Sequence, residues 1–404
     1  PRWSSRLLRL ALWAWVAAAG LLFTTGCTTF SRHTPARTTI VTKTVELPAR
    51  TVGNFFLVEA KQTDGRTYRF MVDTGSTATL ASPALAKALR LKEKKGATRL
   101  VRVRGSHGGE VELEPVTLKR LVLGDASFER MPALIYDFAD LSAQLGVTID
   151  GVLGFPLFRD TLLTLDYPGS RLVILPYPSF PAPKIPSSPQ RCTIAFNNDQ
   201  NSPLVPVQMG NESFIVLLDS GNDGALNLNP TGLHPKFANG PRVGTLLGSV
   251  AGDRRQLVGR LGQNVLVGTF VLEQPVTDLT DQLSSLGGEV LKNFALTFDQ
   301  HRNRVTLARE AEGPVQIEPR RSTGLSFGRS PAYWRVLSVV PDTPTAQLQV
   351  QAGDVCVRIN GEPVDKWDYE RYAALLKSAA KVTYTFLAGT TEHDLEVPVF
   401  ELVP

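Results

Sequence analysis

The sequence is poor in the residues from which disulfide and metal sites are built. It holds 3 cysteines and 5 histidines among 404 residues. Neither a zinc-type Cys/His spacing nor a glycine-rich phosphate loop occurs. A run that begins at Asp219 resembles a calcium loop only briefly, because Gly221 and Pro230 stand where ligands are required. We therefore expect a protein without a metal or another cofactor.

Two of the cysteines, Cys192 and Cys356, lie far apart in the chain, in regions that we assign to different domains. This separation argues against a disulfide framework. The sequence also positions no histidine that could activate either thiol. We expect both to be small buried hydrophobic side chains.

Charge of one sign is not concentrated anywhere in the chain. The net charge is +5, with 20% charged and 43% hydrophobic residues. This composition is that of a globular protein with room for two or three domains. Because the basic residues are scattered, a solvated surface is favoured over nucleic-acid binding.

The apolar stretch from Leu10 to Phe23 is too short for a permanent transmembrane helix. Arginines precede it and Thr24-Thr25-Gly26-Cys27 follows, which is the layout of a secretory signal. The small residues before Cys27 resemble a bacterial lipobox, although Thr24 stands where such motifs carry Leu. An ordinary signal peptide with an incidental cysteine is the alternative.

The lipobox resemblance implies an exported protein that a lipid on Cys27 anchors to a membrane of the cell envelope, facing the periplasm or the outside. Residues 1–27 would form the signal peptide. Residues 28–45, rich in Thr, would form a tether between the anchor and the folded part.

Two short acidic turns are the most informative feature of the chain. Asp73-Thr74-Gly75 and Asp219-Ser220-Gly221 each follow an apolar strand that belongs to a predicted hairpin. Average composition supplies one such motif by accident in roughly one of five chains of this length. Two copies in matching surroundings are a stronger signal.

The surroundings of the two turns repeat. Residues 153–172 align without a gap to residues 286–305 at a constant offset of 133, with identical residues at six aligned positions. Leu153-Gly154 and Leu286-Gly287 open the two copies. The chain therefore contains a duplicated lobe.

Turn residues and prolines divide the chain. Short Val/Leu/Ile-rich runs predict mainly β lobes at residues 46–176 and 191–309, with a possible helix only around Ser82 to Leu91. A proline-rich linker at residues 177–190 joins the lobes, and a second linker at residues 310–322 follows them. Residues 323–404 form a small α+β domain, with a strand from Arg335 to Val340 and a helix near Tyr369 to Lys377.

Two such turns that face each other place both carboxylates on one water molecule. Like charges at that distance share a proton, so one Asp can act as a base and the other as an acid. Such a pair can hydrolyse an amide without a metal. We expect the Thr74 and Ser220 hydroxyls to hold the two loops together.

These residues resemble the pepsin and retropepsin-like aspartic proteases. The resemblance covers about residues 50–309 and implies a bilobal double β-barrel, active as a monomer because both lobes lie in one chain. It implies that Asp73 and Asp219 are catalytic and that a polypeptide is the substrate. The loop residues that would support the pair are Thr74, Gly75, Ser76, Ser220, Gly221 and Asn222.

The second copy departs from the family pattern. Asn222 replaces the Ser or Thr that Ser76 provides in the first copy, and Ser285-Leu286-Gly287 is a weaker match than Val152-Leu153-Gly154. We therefore expect unequal support of the two carboxylates. Two glycine-rich runs, residues 105–109 and 248–252, are candidate flaps over the substrate, although plain hairpin tips have the same composition. The flap residues are Gly108, Gly109, Ala251 and Gly252.

The last domain resembles a PDZ domain. Gly324-Leu325-Ser326-Phe327 matches the carboxylate-binding loop, and the run from Gly353 to Gly361 matches the family's internal motif. The resemblance implies that a C-terminal peptide binds at Gly324, Leu325, Ser326 and Phe327 and adds as a strand beside the helix. A PDZ fold that only packs on the protease is the alternative.

Three functions remain open from the sequence. The first is an aspartic endopeptidase with a PDZ domain that recruits or regulates. The second is a non-catalytic envelope protein that binds peptides through a degenerate protease fold. The third is a protease that stays inactive until a C-terminus binds the PDZ domain.

Overall fold

The computed structural model describes residues 34–91, 100–105, 108–177, 188–199, 201–249 and 252–404. Within these residues the chain is mainly β and forms two lobes followed by a small α+β domain. The predicted fold class is therefore confirmed. None of the helices in the described ranges has the length and apolar character needed to cross a bilayer.

The first lobe is a twisted sheet with two short helices, α1 (Pro83–Leu89) and α2 (Ala139–Leu145). Its strands are β1 (Arg37–Ile40), β2 (Val45–Val52), β3 (Phe55–Lys61), β4 (Thr67–Asp73), β5 (Thr79–Ala81), β6 (Val101–Arg104), β7 (Glu110–Leu123), β8 (Ala126–Ile135), β9 (Gly151–Gly154), β10 (Thr161–Asp166) and β11 (Arg171–Pro176).

Three features of this lobe bear on the sequence predictions. The expected helix is α1, whose N-terminus is capped by the Ser82 hydroxyl. Helix α2 was not expected, because it has no side-chain cap and ends on a left-handed Gly146 after only two turns. Strand β1 lies inside the segment predicted to be a tether and pairs with β8.

The second lobe repeats this plan with one short helix, α3 (Gly288–Leu291). Its strands are β12 (Arg191–Ala195), β13 (Leu204–Met209), β14 (Glu212–Leu218), β15 (Leu226–Leu228), β16 (Phe237–Ser249), β17 (Gly252–Leu261), β18 (Val265–Val267), β19 (Phe270–Glu273), β20 (Val276–Leu279), β21 (Ser285–Leu286), β22 (Ala295–Asp299) and β23 (Arg304–Ala308).

The lobes meet in a shared antiparallel sheet. Strand β10 pairs with β22 so that Thr164 lies opposite Thr297, and the two hydroxyls are 2.8 Å apart. These residues are equivalent in the duplication, because 297 is 164 plus the offset of 133. Equivalent residues pair with each other only on a two-fold axis, so the pseudo-symmetry axis passes between these two threonines.

One core runs through both lobes. Alternating strand residues point inward, and Phe155 of the first lobe packs edge-on against Phe298 of the second at 5.4 Å between ring centres. A short 3-10 helix, Phe155–Phe158, connects β9 to β10. This packing therefore holds the two lobes together.

The third domain has its own core and one helix, α4 (Tyr369–Ser378). Two further 3-10 turns are Pro344–Gln347 and Val364–Lys366. The strands from the end of the second lobe onward are β24 (Val315–Gln316), β25 (Arg320–Ser322), β26 (Leu325–Arg329), β27 (Trp334–Val339), β28 (Val355–Ile359), β29 (Glu362–Pro363), β30 (Lys381–Ala388), β31 (Thr391–Pro398) and β32 (Phe400–Val403).

The connection into the third domain is structured. Strand β24 adds to β19 of the second lobe, and β25 pairs with the last strand, β32. Both lie in residues 310–322, which the sequence predicted to be a plain linker. The absence of periodicity in such short strands explains why the sequence did not indicate them.

Candidate active site

Each acidic turn is positioned by two parallel strands that cross beneath it. Strand β4 ends at Asp73, and Asp73 lies opposite Gly154 of β9 in parallel register. In the second lobe, Leu218 of β14 lies opposite Leu286 of β21 in the same way. The weaker sequence match at Ser285-Leu286-Gly287 therefore occupies the equivalent place in the fold.

The glycines that end these crossing strands are needed for space. A Cβ on Gly154 would lie 2.4 Å from the Ala78 carbonyl oxygen, and one on Gly287 would lie 2.4 Å from that of Gly224. Real Cβ atoms do not approach backbone this closely. Only glycine lets the strand pass directly under the acidic loop.

The two carboxylates face each other. The side chains of Asp73 and Asp219 lie within hydrogen-bonding range of one another. A Cβ on Gly75 would lie 2.3 Å from Oδ1 of Asp219, and one on Gly221 would lie 2.3 Å from Oδ2 of Asp73. Each lobe thus receives the aspartate of the other lobe against its own turn glycine.

The residues after the aspartates lock the two loops together. The Thr74 hydroxyl donates to the Leu218 carbonyl at 2.6 Å and accepts from the Ser220 amide at 3.1 Å. In return, the Ser220 hydroxyl donates to the Val72 carbonyl at 2.8 Å and accepts from the Thr74 amide at 2.9 Å. Both side chains are buried. This reciprocal lock fixes the distance between the carboxylates.

Support of the two carboxylates is unequal. Oδ1 of Asp73 accepts hydrogen bonds from the amides of Gly75 at 2.8 Å and Ser76 at 2.9 Å, and the Gly221 amide also reaches this carboxylate. Oδ1 of Asp219 accepts from the Gly221 amide at 3.0 Å. The amide of Asn222 donates to the main-chain oxygen of Asp219 instead.

The side chains of Ser76 and Asn222 do not support the pair as the sequence suggested. The Ser76 hydroxyl donates to the Ala78 carbonyl at 2.7 Å. The Asn222 amide group donates to the Ser285 hydroxyl and its oxygen accepts from the Gly224 amide. Ser76 therefore braces its own loop, and Asn222 ties its loop to β21. The unequal support of the carboxylates comes from backbone amides.

The unequal support affects the pKa values of the two carboxyls differently. Burial raises the pKa of both carboxyls, but the Ser76 and Gly75 amides oppose this rise at Asp73. The pKa of Asp219 is raised well above its ordinary value, first by burial and then by the charge of Asp73. The amide hydrogen bonds to Asp73 favour its ionised form, so a proton shared by the pair is favoured on Asp219.

Sequence reasoning missed a tyrosine beside the dyad. Tyr167 is 5% exposed, and its hydroxyl has no hydrogen-bond partner among the described residues. Burial raises the pKa of this hydroxyl, and the charges of Asp219 and Asp73 raise it further, so it lies near both. The duplication could have indicated it, because its counterpart is Gln300, a buried residue that donates to the Phe155 carbonyl.

The first candidate flap closes onto the second lobe. Strands β6 and β7 form a hairpin whose tip is closed by a bond from the Gly105 amide to the Gly109 carbonyl at 2.8 Å. A Cβ on Gly108 would lie 2.9 Å from Nε2 of Gln282 in the second lobe. Gly108 therefore reaches the second lobe, while Ser106 and His107 lie outside the described residues.

The second candidate flap contacts the third domain. It is the hairpin of β16 and β17, which takes the place of β6 and β7 in the second lobe, since β17 pairs with β20 as β7 pairs with β8. Gly252 opens β17 opposite Ser249, and Ala251 lies outside the described residues. The Leu246 amide of β16 donates to the Ser326 hydroxyl at 3.0 Å.

The predicted peptide-binding loop leads into β26. Gly324 has a φ of 77°, and its carbonyl accepts from the Val340 amide. Leu325, Ser326 and Phe327 belong to β26, which pairs with β27 and forms the edge of its sheet in the described residues. Leu325 and Phe327 point into the domain core.

Two of the three cysteines lie within the described residues. Cys192 and Cys356 are buried and unpaired with each other, and burial raises the pKa of the Cys356 thiol to about 12. The predicted lipidation site, Cys27, lies outside the described residues.

Comparison with known proteins identifies two regions. Residues 58–157 match the aspartyl protease family model, and residues 315–385 match the PDZ domain model. No curated protein matches the chain. The chain thus contains an aspartyl protease domain and a C-terminal PDZ domain, a combination that indicates a protease with a regulatory PDZ domain.

Proposed function

We propose that this protein is an aspartic endopeptidase that uses Asp73 and Asp219 as one catalytic pair. The observation that carries the proposal is the crossed arrangement of the site. Each carboxylate lies against the turn glycine of the other lobe, and reciprocal Thr74 and Ser220 bonds fix the pair. Two structural turn residues would not require this geometry.

We assign the two roles in hydrolysis from the unequal support of the carboxylates. Ionised Asp73 takes a proton from a water molecule as the water oxygen bonds to the peptide carbonyl carbon, while Asp219 gives its proton to the carbonyl oxygen. The product of this step is a neutral gem-diol. Asp73 then protonates the nitrogen as the C–N bond breaks, and Asp219 recovers a proton from one of the two hydroxyls. The pair returns to its starting state.

Substitution of the pair tests this function. The chain from residue 28 onward should cleave an unfolded polypeptide such as reduced casein, and Asp73→Asn or Asp219→Asn should each abolish cleavage. Asp125→Asn, in an exposed hairpin turn, is the matched control and should leave the rate unchanged. Cleavage by either dyad variant would contradict the assignment. Peptide binding without turnover in the unchanged protein would support the binding-protein alternative instead.

We also propose that the enzyme is monomeric and acts on exported or envelope polypeptides. Both aspartates come from one chain, which supports the first statement, and the lipobox-like sequence around Cys27 supports the second. To test lipidation, cells that express the full chain are grown with an alkyne-labelled fatty acid. The label on the protein in the membrane fraction is then measured. Label that persists after Cys27→Ser would contradict lipidation at this residue.

A further inference from the structure

The PDZ domain is attached to the protease along the edge where such domains take up peptides. That edge is the groove between β26 and α4, in which a peptide would add to the free side of β26. Three contacts reach this groove from the two lobes. They come from helix α2, from the turn at Gly53 and from strand β16.

The first contact involves helix α2 of the first lobe. Nη1 of Arg329, at the end of β26, donates to the Gln144 carbonyl at 3.2 Å. A Cβ on Gly146, the residue that ends α2, would lie 2.7 Å from the Cβ of Asp368, which caps α4. The end of α2 therefore lies across the groove at the place where the upstream part of a peptide would pass.

The groove is also filled from inside. The Arg329 guanidinium lies 4.2 Å from the Trp334 ring centre and 5.1 Å from that of Tyr372. Tyr372 of α4 stands edge-on to Trp334 and hydrogen-bonds Tyr384 beneath it. Nε of Arg329 has no hydrogen-bond partner among the described residues. Because this half-buried cation leaves one donor unsatisfied in the described structure, a competing ligand can displace the contact at low cost.

The second contact involves Tyr369 of α4. Its ring is packed against Gly53, where an added Cβ would be 2.9 Å from Cε1, and it joins a cluster of first-lobe apolar residues. Asn54, the next residue, donates to the carbonyl of Asp223 at 2.8 Å. Asp223 belongs to the loop that carries Asp219. Tyr369 thus packs against the turn at Gly53 and Asn54, and this turn hydrogen-bonds the loop of the second lobe that carries Asp219.

The third contact is the bond from the Leu246 amide to Ser326, in the loop region expected to bind a carboxylate. It connects β26 to the hairpin of the second lobe. We propose that the PDZ groove is occupied in cis by the protease lobes, so that docking of the PDZ domain and binding of a peptide with a free C-terminus exclude each other. This part of the proposal rests on the proposed function. Peptides with a free C-terminus should inhibit cleavage, because their binding undocks the PDZ domain and so removes the support of the Asp219 loop.

The proposal predicts how peptide affinity responds to docking. Apparent affinity falls by the fraction of molecules whose groove is open. Arg329→Ala removes the cation and the bond to Gln144, so it should bind fluorescein-labelled octapeptides, randomised at their last four positions, roughly tenfold more tightly. Arg335→Ala, on the exposed side of β27, is the matched arginine control and should bind as the unchanged protein does. C-terminally amidated peptides should not bind.

A cross-link gives the decisive test and does not depend on Arg329. In Gly146→Cys/Asp368→Cys the two Cβ atoms would start 2.7 Å apart, so a shift of roughly 1 Å brings them to disulfide spacing. Oxidation should then hold the PDZ domain on α2 and weaken peptide binding roughly tenfold compared with the same protein after reduction. Equal affinity in the two forms, or no binding even to Arg329→Ala, would overturn the proposal. Because binding is measured directly, this result stands whether or not the protein proves to be a protease.

The activity arm then tests the link to the dyad. Peptides with a free carboxylate should slow casein cleavage by the unchanged protein and should leave the oxidised cross-linked protein unaffected. Equal inhibition of both forms would indicate that the peptides compete at the active site, which contradicts inhibition through undocking.

Discussion

Three backbone amides reach the carboxylate of Asp73, two from the first lobe and one from the second, whereas one amide reaches the carboxylate of Asp219. The crossing strands beneath the two aspartates are in contrast equivalent, and so are the residues on the symmetry axis. The two copies therefore share the crossing strands that position the aspartates, but they differ in the backbone amides that reach each carboxylate. A symmetric pair would have no preferred place for a shared proton, whereas here the extra amides on Asp73 favour the proton on Asp219.

The hairpins above the cleft differ more than the strands below it. The first hairpin reaches Gln282 of the other lobe, while the second contacts Ser326 of the PDZ domain. The aspartyl protease family model also matches only residues 58–157, in the first lobe. The two copies therefore differ in what their hairpins contact.

The strongest test of the equivalence between the lobes is to fill the crossed glycine positions. Gly75→Ala and Gly221→Ala each push a methyl group into the opposite carboxylate, so each should lower the cleavage rate by about 10²-fold or more. Gly262→Ala is the control, because its Cβ would meet nothing closer than 3.4 Å. A large loss for one glycine and normal kcat for the other would show that only one lobe needs the crossed contact.

The reciprocal lock offers a comparison of stability. Thr74→Val and Ser220→Ala each leave a buried amide and a buried carbonyl without partners, so each should cost about 1–3 kcal/mol of unfolding free energy. Urea unfolding of both variants, of the double variant and of exposed Ser213→Ala measures this. Because the two hydroxyls share one network, the double variant should lose less than the sum of the single losses. Full additivity would contradict a common lock.

The sequence was sufficient for the parts of the molecule that the duplication repeats. Identical residues at an offset of 133 indicated the lobes, and the Asp-Thr/Ser-Gly turns indicated the two aspartates that the fold brings together. These features are local in sequence or follow from symmetry. A pattern of short strands and turns also sufficed for the mainly β fold.

The rest of the site depends on contacts between distant residues. The roles of Ser76 and Asn222 could not be read from their identities, because the direction of their side chains is set by the loop backbone. The position of Tyr167 near the two aspartates is a contact between distant residues that only the duplication could have indicated. The docking of Arg329 onto Gln144 joins residues 185 positions apart, which no local pattern specifies.

Protonation gives a third comparison, and its sign follows from the raised pKa of Asp219. A carboxyl with a raised pKa in the folded state binds more protons when folded, so stability is lost as pH rises above the unfolded pKa of about 4. Asp219→Asn removes this loss. Its melting temperature at about pH 7 should therefore exceed that of the unchanged protein by more than Asp73→Asn does, and the gap should close near about pH 4. Equal melting temperatures of the two variants at both pH values would contradict the unequal support.

The smallest effect is expected at the contact between the first hairpin and the second lobe. Gln282→Ala removes the side chain that Gly108 approaches across the cleft, without touching the dyad. Because the hairpin tip then closes less often over the substrate, KM should rise roughly two- to fivefold while kcat changes little. Gln208→Ala, exposed on β13 of the same lobe, is the matched control. A fall in kcat with unchanged KM would mean that Gln282 acts on the catalytic loop rather than on the cover, since Gln282 lies only two residues before the Ser284 hydroxyl that accepts from the Asn229 amide.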